Sequence, residues 1–345
     1  MGDIDVRLDT LDLSILSEME LDGRQPISHL ARKLGISRTY ARKRFQRLLD
    51  RNICRIAAFT HPLALGYHTL ALTGIQASPG ELHAVADRLR AFPNVNLVVI
   101  AAGWQDIFVL TMFANPADLS SFLARGLGSI PGIKSTETMV VIEWRVSLSY
   151  LSSRQWRSIL FSYPPSSRSI QDNRQEQDSA FVQQIGQDSD LSIDQLDLMI
   201  LREIEQDARQ PVSHLAKKLG ISRYDASPRL QRLLNKRITS VVAFPSPLAL
   251  GYHIFALIGV KVSLKEIDKV LGKVEALPNV EWLARVAGRY DVILWAMFHD
   301  AIDLSRFLGR ELGVIPGVVS SEAMIGLELK KMSFGRLASS YVGLR

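Results

Sequence analysis

The chain has 345 residues, 47% hydrophobic and 22% charged, a balance that excludes a disordered polymer and admits two or more globular domains. Its formal charge of +6 permits a polyanionic partner without requiring one, so the placement of the cations has to decide. A single cysteine, Cys54, excludes a disulfide framework and a thiolate metal cluster, as expected of a protein in the reducing cytoplasm.

Asp9 is placed to cap a first helix with Leu13 and Leu16 on its inner face, and Pro26 precedes a short helix over 27–33. Leu34-Gly35-Ile36 reads as a turn, and Ser37 as the N-cap of a third helix over 38–52. There Ala41, Phe45 and Leu48 recur at helical spacing and must face a core. Arg38, Thr39, Arg42, Lys43 and Arg47 are left largely outward, with Arg44 beside them. Residues 1–54 therefore read as a three-helix, winged or helix-turn-helix domain with a basic outer face. A short strand linker follows, ending in Pro62-Leu63-Ala64-Leu65-Gly66-Tyr67. Residues 55–150 then alternate strands (67–77, 95–102, 107–113, 134–144) with helices (81–91, 117–127). This βαββαβ order is a ferredoxin-like module with helices on one sheet face and the other face uncovered. The apolar stretch 97–113 is interrupted by Gly103, Gln105 and Asp106, so it suits two buried strands better than a membrane span, and no leader segment or membrane partner is expected. Residues 147–190 change character: a short helix is expected at 154–161, and a flexible connector fills the rest of 151–190.

Both segments then return, as a helix-turn-helix over 191–239 and a ferredoxin-like module over 240–345. Leu11-Asp12-Leu13 and Gly66-Tyr67-His68 recur as Leu196-Asp197-Leu198 and Gly251-Tyr252-His253, at an offset that still holds between Gly132 and Gly317. The fold class is α+β in two tandem units, expected to fold back on each other as an intramolecular pseudo-dimer. The differences between copies carry information. Asp225, Ser227 and Pro228 stand where Tyr40, Arg42 and Lys43 stand in the first copy, so the second recognition helix loses positive charge. Pro228 costs about 3 kcal/mol in a helix interior and predicts a kinked or late-starting helix.

The ensemble resembles the Lrp/AsnC family of feast/famine transcriptional regulators. It is carried by Leu11-Asp12, Leu30-Ala31 to Arg38, Pro62 to Gly66, Gly103 to Asp106 and Pro131-Gly132. Leu196-Asp197, Leu215-Ala216 to Arg223, Pro247 to Gly251, Gly288 to Asp291 and Pro316-Gly317 repeat them. The resemblance implies a regulator of double-stranded DNA whose ferredoxin-like domains pair through their sheets and hold an amino acid or similar effector near that interface, with self-association into a dimer or larger assembly. Candidate DNA-binding residues are Ser37, Arg38, Thr39, Arg42, Lys43, Arg44 and Arg47 in the first unit. In the second, Arg223, Arg229 and Arg232 are expected to supply phosphate contacts or scaffolding, making an asymmetric reader. By spacing alone the Gly-x-x-Asp segments are strand-to-strand turns in which Asp bonds its own backbone. The resemblance adds an effector role for Gly103, Trp104 and Asp106 with Ser135, Thr136 and Thr138, and for Gly288, Arg289 and Asp291 with Ser320 and Ser321.

Seven histidines, His29, His68, His214 and His253 among them, lack a second ligand at metal spacing, so no metal is expected. No phosphate-binding glycine motif or nucleophile elbow occurs, so neither a cofactor nor an enzymatic activity is expected. Two alternatives remain. Siroheme decarboxylases share the two-part architecture but would need basic and histidine side chains facing a porphyrin carboxylate, and 98–108 has neither histidine nor arginine. The other is a metabolite-binding module without DNA binding.

Overall fold

The computed structural model describes residues 8–146 and 193–333. The connector expected at 151–190 and the helix expected at 154–161 lie outside the described residues. Two compact units cut across the duplication: one contains both helix-turn-helix segments, the other both βαββαβ modules from Gly66 and from Gly251 onward.

In the first unit, α1 (Thr10–Leu21) begins with a reciprocal cap in which the Asp12 amide donates to the Asp9 carboxylate at 2.9 Å and Asp12 answers the Asp9 amide. Leu13 and Leu16 are buried as their spacing requires, together with Ile15 and Met19. After α2 (Ile27–Lys33), α3 (Arg38–Asp50) starts at Ser37, whose hydroxyl accepts from the Tyr40 amide at 3.2 Å. It ends short of residue 52 because Asn52 turns left-handed, with φ at +54°. The second copy supplies α6 (Gln195–Gln206), α7 (Val212–Leu219) and α8 (Arg223–Asn235). The expected late start of α8 does not occur. Ser222 caps it where Ser37 caps α3, the Ala226 amide still reaches the Ser222 carbonyl at 3.1 Å, and Pro228 sits inside a continuous helix. Pro228 removes the one bond to the Tyr224 carbonyl, on an exposed face where water can take the donor's place.

The linker strands do more than connect. β1 (Cys54–Thr60) and β6 (Thr239–Pro245) form an antiparallel ribbon, Cys54 opposite Pro245 and Thr60 opposite Thr239. Helix α1 packs on β6 and α6 on β1, so each helix-turn-helix is completed by the other repeat. The Arg24 guanidinium donates to the carbonyls of Ala208 and Gln210 at 2.6 and 3.0 Å, and Arg209 donates to that of Gln25 at 3.3 Å while lying over the Phe45 ring.

In the second unit the first module runs β2 (Thr69–Ala77), α4 (Leu82–Ala91), β3 (Val95–Ala102), β4 (Ile107–Phe113), α5 (Pro116–Ser121) and β5 (Ile133–Val146). The second runs β7 (Ile254–Val262), α9 (Ile267–Glu275), β8 (Val280–Ala287), β9 (Val292–Phe298), α10 (Ala301–Arg306) and β10 (Val318–Met332). Both α5 and α10 widen into a π-helical turn, at Phe122–Gly126 and Phe307–Leu312, where one long α-helix is expected from periodicity. Ala71, Ile75, Val98, Ile100, Ile107 and Val109 pack beneath the helices on Val85, Leu89 and Phe122. The opposite sheet face closes on the other repeat. β5 runs on to pair with β8 and β10 with β3, giving a closed eight-stranded barrel in the order β10-β3-β4-β2-β5-β8-β9-β7.

Glu281, at the bulge of β8, stands where the first copy has the neutral Asn96, and both are buried. Burial pushes its carboxyl up to about 8. The unfolded chain loses this proton in the ordinary carboxylate range, whereas the folded chain keeps it up to about pH 8. Stability should therefore fall as pH rises from about 4.5 to about 8. Glu281→Gln should remove that slope and raise the Tm by roughly 2–6 °C at pH 8, read by thermal denaturation across the pH range.

Candidate nucleic-acid interface and effector site

The exposed side of α3 carries Arg38, Thr39, Arg42 and Lys43, and none of these three cations makes an ion pair among the described residues. Ser37 contributes at the same end through its cap. Arg44 and Arg47 depart from the expected outward basic face. Arg44 donates to both oxygens of Asp12 at 3.0 and 3.1 Å and also pairs with Asp9, and Arg47 pairs with Asp12. The Asp12 side chain is 0% exposed, so it needs these partners. Burial pushes its carboxyl up, and the two guanidiniums oppose the shift. The pair thus clamps α3 onto α1. The second copy repeats the clamp. Arg229 reaches Asp194 and Asp197 at 2.6 and 3.1 Å, and Arg232 pairs with Asp197. The expected phosphate-contacting role of Arg229 and Arg232 thus meets side chains already engaged within the fold. Arg223 stays exposed without an ion pair among the described residues, while Asp225 accepts from the Ser222 hydroxyl at 2.7 Å.

In the barrel unit, Asp106 accepts from the Ala77 amide at 2.9 Å and Asp291 from the Val262 amide at 2.8 Å, the turn-building role that spacing alone assigns. Gly103 and Gly288 have φ of +157° and +152°, and a Cβ on either would strike Met324 or Met139 on the last strand of the other repeat. The loops meet across the repeats: the Trp104 ring stands edge-on to Tyr290 with centroids 5.1 Å apart. Strand alternation sorts the expected hydroxyls. Ser135, bonded to Gln76 at 2.9 Å, shares a face with Glu137 and with Gln105. Thr136, opposite Ile75, and Thr138, 3.0 Å from the Thr73 hydroxyl, lie on the helix-facing side, so the structure does not bring them to the loops. Ser320, opposite Lys261, shares the loop face, whereas Ser321, opposite Val260, faces the helices. Glu137 and Glu322 were not singled out by sequence, yet Arg289 lies 3.6 Å from the first and 3.0 Å from the second. Gln105 and Tyr290 join them, and burial pushes the Tyr290 hydroxyl up to about 12. Period-two reading of β5 and β10 from Glu137 and Glu322 is the signal that points to this face.

Among the described residues, no group of three His, Cys, Asp or Glu side chains is arranged to hold a metal ion, and no helix is long and apolar enough to cross a membrane.

Residues 8–49 and 193–234 match the AsnC-type helix-turn-helix domain, and 70–147 and 255–335 match the Lrp/AsnC ligand binding domain. The chain belongs to the Lrp/AsnC family, in tandem-duplicated form. An uncharacterized HTH-type transcriptional regulator of Pyrococcus furiosus is 36% identical over 135 residues, which are 39% of this chain and 91% of that protein. The HTH-type transcriptional regulator LrpA of Pyrococcus horikoshii is 30% identical over 139 residues, 39% and 97% of the two chains. Each such Lrp/AsnC relative aligns with about the length of one repeat. The crystal structure of the siroheme decarboxylase NirDL matches 97% of this chain and 98% of its own with a TM-score of 0.62, and at 15% identity this likeness is one of fold alone.

The clamp separates the arginines that hold the fold from the cations left exposed on α3 in this Lrp/AsnC chain. Arg44→Ala and Arg229→Ala should each cost about 2–3 kcal/mol, because a buried carboxylate loses a partner. Arg42→Ala should stay within about 0.5 kcal/mol of the parent in denaturant unfolding.

Proposed function

We propose that this Lrp/AsnC protein is a cytoplasmic one-component transcriptional regulator. It binds double-stranded DNA through α3 and responds to a small amino-acid-like metabolite beside the Gly103–Asp106 and Gly288–Asp291 loops, the repeats acting as a pseudo-dimer. The observation that carries the reading is the set of exposed cations Arg38, Arg42 and Lys43 at the N-terminal half of α3, on a helix held rigidly by Asp12. A helix presented this way offers its first turns to base edges, where Arg pairs bidentately with guanine, and its flanking cations to phosphates. On α8 the matching positions hold Arg223, Ser227 and Pro228, so the two helices read unequally, the first supplying most of the sequence recognition. The effector acts by binding two states of the protein with different affinity, which the loop contacts between repeats would couple.

The test is an electrophoretic titration on a duplex from upstream of the protein's own gene. Arg42→Ala should weaken binding by about 1–3 kcal/mol and relax sequence preference. Arg223→Ala should cost less and act uniformly across sequences. Equal losses remove the asymmetry, and no binding by the parent protein at low salt removes the regulator. The alternative suggested by the siroheme decarboxylase fold has less support in the side chains. Arg289, the arginine of these loops, is engaged by Glu322 and Glu137 and so is not available to a porphyrin carboxylate. Siroheme absorbance that co-elutes with the protein on gel filtration would favour it.

A further inference from the structure

The eight barrel strands contribute a ring of large side chains that does not respect the duplication. On β7, β9, β8 and β5 they are Phe255, Trp295, Trp282 and Trp144, and at the matching positions on β2, β4, β3 and β10 they are Leu70, Leu110, Leu97 and Leu329. The aromatic half is continuous. Phe255 stacks on Trp295 with centroids 5.1 Å apart, Trp295 on Trp282 at 6.2 Å, and Trp282 meets Trp144 at 5.4 Å. Gly326 makes room for the Phe255 ring, where the first copy has Val141 opposite the smaller leucine set. Three of the rings belong to the second repeat, and the fourth, Trp144, is delivered by the first.

The same β5–β8 seam carries a charge that fits only one way. Arg145 joins Glu143 of its own repeat, at 2.7 Å, to Glu275 at the end of α9, at 2.9 Å, with the Arg145 and Glu275 side chains largely covered. The residue matching Glu275 in the first repeat is Arg90. At the other seam a register shift between Leu329 and Lys331 brings the Lys331 ammonium to the main-chain carbonyls of Arg90 and Phe92, 2.9 Å from each. The cation there caps the end of α4 and does not need a carboxylate. Arg289 adds a third asymmetry: it serves Glu322 of its own repeat and Glu137 of the other, while the first repeat has Trp104 in its place.

We infer that the β5–β8 seam is a recognition surface for the unlike repeat, so that a first repeat pairs with a second repeat and not with another first. Two first repeats would set Arg145 against Arg90 at both seams and leave two Glu137 carboxylates without Arg289. Two second repeats would lack the Trp144–Trp282 contact and set Leu329 in the place of Trp144 at both seams. Unlike pairing is satisfied within one chain, and the partner that fits the surface in trans is the second repeat of another copy.

The test uses the full chain with a specific protease site placed between residues 147 and 192. Nicked protein and a mass-labelled nicked copy are unfolded together, refolded and counted by native mass spectrometry. Unlike pairs should exceed like pairs by about tenfold, set by the ring contact and the ion pair together. Arg145→Glu should shift the population toward pairs of first repeats, because its carboxylate would meet Arg90, and adding Glu275→Arg should move it back toward unlike pairs, which regain their ion pair at the β5–β8 seam. Equal numbers of like and unlike pairs, or no response to Arg145→Glu, overturn the inference. The intact chain gives an independent reading that does not require refolding: Arg145→Glu should lower the Tm and Arg145→Glu with Glu275→Arg should recover most of the loss. Absence of that recovery also overturns it.

Discussion

A four-stranded sheet covered by helices on one face is left with an apolar face and unpaired strand edges, and both must be removed from water. In this chain each module solves the problem with the other. β5 and β10 extend beyond their own sheets and become neighbours of β8 and β3, so every strand of the barrel has partners on both sides. The loops at Gly103 and Gly288 follow from this closure, since each lies on the last strand of the opposite repeat, and the face that gathers Gln105, Glu137, Arg289, Tyr290 and Glu322 exists only because the sheets meet.

The helix-turn-helix unit obeys the same rule on a smaller scale. A ribbon of β1 and β6 shares the first helices between repeats, and Arg24 and Arg209 tie each turn to the main chain of the other copy. Within each copy, a buried aspartate at the third position of the first helix takes two arginines from the third helix. Cations that hold the fold and cations left exposed are therefore separate sets on the same helix. The clamping pair is retained in both copies, while the cations without an ion pair among the described residues are concentrated on α3, so the second copy keeps the architecture of the first with less of its exposed charge.

Much of this was legible in the residues. The apolar spacing of Ala41, Phe45 and Leu48, the caps at Asp9 and Ser37 and the alternation from βαββαβ placed the elements, because caps and periodicity are local properties. The family resemblance, carried by many short motifs in two copies, agrees with the domain matches. Among the candidate site residues, exposure of Arg38, Arg42 and Lys43 followed from helical phase. The engagement of Arg44, Arg47, Arg229 and Arg232 did not, since it depends on an aspartate more than thirty positions away in the chain being buried at the right spot. Thr136 and Thr138 illustrate a different failure: residue type suggested a donor, and the pleat turned them to the other face.

By itself the amino-acid sequence determined the duplication, the element types, the order of domains and the loss of charge on the second recognition helix, all of which rest on contacts between residues close in the chain. Tertiary structure alone decided which arginines are clamps, that the linker strands pair with each other, and that the two seams of the barrel differ in rings and charges. Those outcomes depend on which distant groups are buried together. A carboxylate, a guanidinium or an indole shows its role only when the partner that desolvates it is known.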